Sequence, residues 1–339
     1  MRRSILSLLL LLAFGCSTAS PAPDGIQPAT DAPAADAARD AAAPVGLADA
    51  GSSTDAGGPA DGSGPDAGYP KTYRNSLGVC WTDATCKRAL SVAHGGEWTF
   101  SGNAYDSNAA LAAAYANGAD GVKIDARMTK DNVAVVSHSS PLAVYESVDC
   151  YNKKIEEMTA AEVTKCHRVT TPAETYQRLD DVLNALRGKL VVQVCVKLQT
   201  DTAAIAAAVL AAGAEDFAFL EISTPDLQTL VPPIPNNNKL WYLINVSSNL
   251  GEVDTLLDTI KNPRAFMYEF EPNIDVSSLV TTRLHPAGIR SFTYDKNAST
   301  TPAIKALFDA GFDVVSTNAN PSSVQARVQV NTARAVTPP

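Results

Sequence analysis

Residues 190–222 read LVVQVCVKLQTDTAAIAAAVLAAGAEDFAFLEI. Two apolar runs, Leu190–Lys197 and Phe217–Ile222, flank an alanine-rich helical stretch, Thr202–Ala212, that stops at Gly213. Near-continuous apolar runs describe strands buried on both faces, and a glycine after the last turn is a common helix stop. The unit is strand, helix, parallel strand. It recurs outward in both directions. Further strand-like runs are Ser91–His94, Gly121–Ala126, Leu240–Val246, Ala265–Phe270, Ile289–Tyr294 and Phe312–Thr317, eight in all. Helical stretches are expected at Ser107–Asn117, Glu174–Arg187, Asp226–Leu230, Val253–Ile260, Val276–Leu284 and Pro302–Ala310. Thr224-Pro225 and Thr301-Pro302 read as cap-plus-first-turn starts. Eight such units predict an α/β protein, a (β/α)8 barrel. Val133–His138 reads as a short hairpin arm after the second strand, and 139–189 as an insertion.

The N-terminal part has a different composition. Arg2 and Arg3 precede an apolar run, Ile5–Phe14, then Gly15-Cys16. This is the pattern of a secretory signal, too short to span a bilayer. Ala13-Phe14-Gly15-Cys16 looks like a bacterial lipobox, so residues 1–16 are expected to be a lipoprotein signal with Cys16 lipidated. Ser17 after it favours the outer membrane. Residues 17–70 hold sixteen Ala, eight Pro, eight Gly and eight Asp, with no aromatic residue before Tyr69. Such a stretch buries too little apolar surface to offset its ordering entropy, and is expected to be a disordered tether of roughly 40 Å r.m.s. reach. The barrel is assigned to 71–339. The chain carries a formal charge of −9, most of it in the tether, which argues against a nucleic-acid partner. The expected setting is the cell envelope, with the membrane engaged only through the N-terminal lipid.

Export permits disulfides. Proximity pairs Cys80 with Cys86, and Cys150 with Cys166 across Thr159-Ala-Ala-Glu162, a capping-box pattern. Cys195 reads as a buried strand residue, and no second cysteine pair has zinc-ligand spacing.

Barrel active sites lie at the C-terminal ends of the strands. There the sequence puts His94, Lys123 with Asp125, His138, and Cys195 with Lys197; later strands offer Glu221, Asn245, Glu269, Glu271, Asp295 and Asn318. Two histidines, a carboxylate and lysines suit phosphoryl chemistry: one imidazole takes a proton, the other gives one, and cations hold the anion. His167 and His285 read as surface residues, Trp98 as a loop aromatic near the mouth, and Asp106 or Ser107 as a helix N-cap.

This arrangement resembles the glycerophosphodiester phosphodiesterase family of phospholipase-C-like barrels over roughly 88–325. The family's H-R-G is similar to His94-Gly95-Gly96, and its E-N-T to Asp106-Ser107-Asn108. Its G-A-D-x-[IV]-E-x-D is similar to Gly118-Ala-Asp120-Gly-Val-Lys123-Ile-Asp125. T-K-D falls at Thr129–Asp131, the second histidine at His138, and E-x-K at Cys195-Val-Lys197. Its closing elements resemble Gly311-Phe-Asp313 and Thr317-Asn318. The resemblance implies His94 and His138 as the acid–base pair with Asp125, and a small phosphodiester or phospholipid-derived substrate; Lys123, a departure from the family pattern, and Lys197 are read as phosphate contacts. It also implies Ca²⁺ or Mg²⁺. Of the three carboxylate ligands only Asp125 remains, with Asp106 as a further candidate, because Lys123 and Cys195 replace the glutamates. Two readings follow: an active, metal-independent phosphoric diester hydrolase in which Lys123 replaces the cation, or an inactive barrel acting as an envelope binding protein.

Overall fold

The computed structural model describes residues 76–78, 80–169 and 174–336. The expected signal, the Cys16 lipidation site and the 17–70 tether lie outside the described residues. Nine strands form the sheet: β1 Leu90–His94, β2 Gly121–Met128, β3 Ala134–Val136, β4 Val191–Val196, β5 Ala218–Ser223, β6 Trp241–Ser247, β7 Ala265–Phe270, β8 Arg290–Tyr294 and β9 Val314–Thr317. Eight pair in parallel, and β1 bonds both β9 and β2, so the sheet closes into a (β/α)8 barrel. β3 is the expected arm, antiparallel on β2 outside the ring.

The strands alternate their side chains between the lumen and the helical shell. Leu90, Val92, Val191, Phe219, Leu243, Met267, Phe292 and Val314 form an apolar cluster with Trp81 at the N-terminal end of the lumen. Gly121 makes room for it, since a Cβ there would lie 3.0 Å from the Trp81 ring and 2.9 Å from the Val191 carbonyl. The Cys80–Cys86 disulfide closes the loop that carries Trp81. The opposite, polar end of the lumen holds the site.

Three boundaries differ from expectation. The Glu174–Arg187 helix begins only at Leu179. Residues before it spend their hydrogen bonds elsewhere: Val136 N–H donates to the Gln177 carbonyl, and Arg168 N–H to that of Glu174. The caps expected at Thr224 and Thr301 fall one residue earlier, on Ser223 and Thr300, whose side chains accept from Asp226 and Ala303 N–H. A closing helix, Asn320–Ala333, was not expected. Its buried face includes Ser323, Arg327 and Asn331, so it lacks an apolar stripe to read. Arg327 instead bonds buried Asp120 at 2.6 Å, and Asn331 bonds both backbone groups of Ala89.

The insertion after β3 has its own small core of Val135, Leu142, Ile155, Met158, Val163 and Tyr176 around the Cys150–Cys166 disulfide. Thr159 and Glu162 form the expected capping box between the two cysteines.

Candidate active site at the barrel mouth

His94 ends β1 and pairs in register with Lys123 of β2, which in turn pairs with Gln193 of β4. Lumen-facing parity then brings Asp125, two residues beyond Lys123, to the same face. β3 runs back along β2, and Ser137 N–H donates to the Asp125 carbonyl, so His138 returns to the mouth. His94, Lys123, His138 and Lys197 line one cleft of about 610 Å³ together with Glu221, Glu269 and Tyr294. Asp125 lies fully buried beside Lys123. The five residues singled out in the sequence are therefore brought together.

Asp125 Oδ1 accepts from Lys123 Nζ at 2.5 Å and lies 3.4 Å from Lys197 Nζ. Burial alone would raise the Asp125 carboxyl; Lys123, then Lys197 and His138, outweigh it and hold it far below the usual range. Burial pulls Lys123 down, but Asp125, Asp106 and Glu221 outweigh it and raise its pKa. Lys197 is lowered by burial, against the pull of Asp125. Three other buried carboxyls shift the other way. Burial raises Glu221, and burial with the neighbouring Glu221 raises Glu269 well above normal. Asp106 is raised well above normal by burial and by the charge of Asp125. With these three shifted toward the neutral form, Lys123 and Lys197 weigh more at the buried base of the cleft, which suits it to an anion.

Each imidazole has a partner on Nδ1. His94 Nδ1–H donates to Asn318 Oδ1 at 2.9 Å, leaving Nε2 as the basic nitrogen, and the ring stacks on Tyr294 at 4.1 Å. Burial and then the Lys123 charge press the His94 pKa well below 6.5, so it is neutral at physiological pH. His138 Nδ1–H donates to Glu146 Oε1 at 3.0 Å, while Glu146 also accepts from the Ser139 hydroxyl and N–H. Arg127 clamps the His138 carbonyl through Nε and Nη2.

Two site residues escaped the sequence reading. Glu146 lies eight residues beyond His138 inside the insertion, where no strand periodicity points to it. Tyr105 lies outside every strand-like run, just before Asp106. Its hydroxyl is 3.3 Å from both His94 ring nitrogens and from Lys123 Nζ, and its ring meets His138 edge-on at 5.3 Å. Gly95 admits it: a Cβ there would fall 2.1 Å from the Tyr105 ring. A glycine straight after a strand-end histidine was the available signal. Asp106 is not the cap; Ser107 is, and Asp106 Oδ2 instead accepts from Asp125 N–H at 3.2 Å. Trp98 donates to the His94 carbonyl and packs on Tyr105. His167 and His285 pair with Asp149 and Asp313 away from the cleft.

Residues 100–217, which contain Lys123, Asp125, His138 and Lys197, match the model of the glycerophosphoryl diester phosphodiesterase family. This stretch belongs to that family. No curated protein matches the chain in sequence. Among solved structures, a glycerophosphodiester phosphodiesterase from Agrobacterium tumefaciens is 19% identical with a TM-score of 0.56, over 70% of this chain and 99% of that one. One from Parabacteroides distasonis is 15% identical with a TM-score of 0.59, over 80% and 93%. A phosphodiesterase from Oleispira antarctica, in complex with the product sn-glycerol-3-phosphate, is 18% identical with a TM-score of 0.54, over 73% and 99%. At these identities the likeness establishes the fold, and it extends through the strands that follow residue 217.

Within the glycerophosphoryl diester phosphodiesterase family the resemblance implies a divalent cation, and the donor set here does not fit one. Hard cations need several oxygen ligands. Asp125, the one retained carboxylate, holds two ammonium groups on a single oxygen, and the position of a second ligand is buried Cys195. Among the described residues, the one cluster of three close metal-ligating side chains is Asp149 with Cys150 and Cys166, whose sulfurs are joined to each other.

Proposed function

We propose that this barrel hydrolyses a phosphoric diester of the glycerophosphodiester type without a metal ion. The observation that carries the reading is the meeting of two oriented imidazoles and two ammonium groups in one cleft. The diester's phosphoryl oxygens sit against Lys123 and Lys197. Neutral His94 accepts at Nε2 a proton of the water that attacks phosphorus. His138, held by Glu146, donates a proton from Nε2 to the departing alkoxide. Charge that builds on the phosphoryl oxygens is met by Lys123, already fixed by Asp125 and needing no reorganisation. Tyr105 places a hydroxyl between His94 and Lys123, within reach of the same oxygens. The composition of residues 2–16 further supports export and anchoring to the cell envelope through Cys16.

The test is turnover of an aryl phosphodiester and of glycerophosphocholine by the purified chain, with and without EDTA. The expected result is activity that survives chelation and is abolished by His94→Ala. Activity lost to EDTA and restored by Ca²⁺ would end the metal-free reading. No turnover under any condition would leave the barrel as a binding protein.

A further inference from the structure

The large apolar side chains exposed among the described residues are not scattered over the surface. Phe100 follows β1, Leu198 follows β4 and Leu250 follows β6; Val144, Tyr145, Val148 and Tyr151 stand on the insertion that starts at His138. Segments that leave the C-terminal ends of barrel strands emerge on the mouth side. All seven residues therefore sit on segments that leave the mouth, and none lies on a loop at the N-terminal end. The insertion supplies four of them within eight residues, each more than half exposed. This cluster borders the cleft, because Glu146 within it bonds His138 and Ser139, both of which line the cleft.

We propose that this rim docks on a lipid surface, with the mouth turned toward it, and that the substrate is a phosphodiester headgroup still attached to lipid in that surface. The substrate assignment rests on the phosphodiesterase reading above; the docking does not. Scattered single apolar residues on a protein surface need no explanation, but a one-sided set around an active-site mouth does. Three of these side chains stand on separate loops beside the four of the insertion, as suits insertion between headgroups more than a matched protein surface. Tyrosine favours that interface, where one end of its side chain is apolar and the other wet. The cleft they surround presents Lys123, Lys197 and Arg127. A lipid surface is where a phosphodiester anion and hydrocarbon occur side by side, so the charge of the cleft and the apolar rim fit one occupant. This contact is separate from any N-terminal lipid.

The test uses the full chain and its variant Phe100→Ser, Val144→Ser, Val148→Ser and Tyr151→Ser, with vesicles of phosphatidylcholine and phosphatidylglycerol. Hydrogen exchange is read over 97–102 and 142–152, which separates rim contact from anchoring elsewhere. Vesicles are expected to slow exchange in both segments of the parent chain and not in the variant. On diesters presented in vesicles the variant should lose roughly tenfold or more, on the scale of burying one large apolar side chain, while turnover of a soluble aryl diester is unchanged. Unaltered exchange in both segments overturns the docking. So does protection that appears without vesicles and grows with protein concentration, which would assign the rim to a second copy of the chain. Protection by vesicles with no turnover of any diester would uphold the docking and sink the enzymatic reading alone.

Discussion

Lys123 and His94 face each other across adjacent strands, and each changes what the other can do. Lys123 stays charged because Asp125 lies 2.5 Å away, and that charge helps keep His94 neutral. A general base works only when unprotonated, so its activity rises with pH through its pKa. His94 is pressed well below 6.5 by burial and Lys123. The acid limb of kcat/KM should therefore lie below pH 6.5, and a pH–rate profile whose acid limb lies above that value would contradict the assignment. Lys123→Met should lower kcat by about 10²–10³-fold, the scale of one preorganised electrostatic contact. It should also move the acid limb upward, because one of the two main influences depressing His94 is gone. A loss of rate with an unmoved limb would show that the lysine does not sense His94. His94, Lys123, Asp125, His138 and Lys197 were legible because strand parity places residues by counting. Tyr105 and Glu146 were not, since their positions depend on how loops fold back over the mouth.

Among the elements, the insertion between β3 and β4 does the most that its sequence does not announce. It carries Glu146, which orients His138, and it holds most of the apolar rim. Its own core is small, so the Cys150–Cys166 bridge contributes much of its order. Cross-linking a loop of this length is worth about 3 kcal/mol in the chain-entropy account. The double substitution Cys150→Ser with Cys166→Ser should speed hydrogen exchange across 142–169 and reduce kcat, while the far-ultraviolet circular dichroism of the barrel stays unchanged. Retained kcat would mean that His138 does not depend on the insertion for its position. The cysteine pairing and the Thr159–Glu162 capping box could be read locally, because both are short-range. The late start of the following helix could not, because residues 174–178 form extended structure only once β3 and the 166–168 segment are there to accept them.

At the scale of the molecule, one end of the lumen is sealed by apolar side chains and the other is left polar. Trp81 is fully buried against Phe219 and the other lumen residues, and deleting a core tryptophan costs about 3–5 kcal/mol. Trp81→Ala should lower the melting temperature markedly without changing the residues at the mouth. Thermal unfolding followed by activity assays below the transition would check both halves, and an unchanged melting point would show that the plug is dispensable. By itself the sequence pointed to the barrel, since eight buried runs alternating with helices describe parallel strands covered on both faces. That the ring closes is a property of the tertiary structure, in which β1 bonds both β9 and β2. The sequence also determined which strand ends bring ionisable side chains to the lumen, because a period of two is a property of each strand alone. Only the tertiary structure decided three other things. It set Tyr105 against Gly95 between the imidazoles, it brought the Lys123 and Lys197 ammonium groups onto one oxygen of Asp125, and it placed the exposed apolar residues on segments leaving the mouth. Each depends on distances between segments far apart in the chain. Local pattern carries no information about such distances until the sheet has closed.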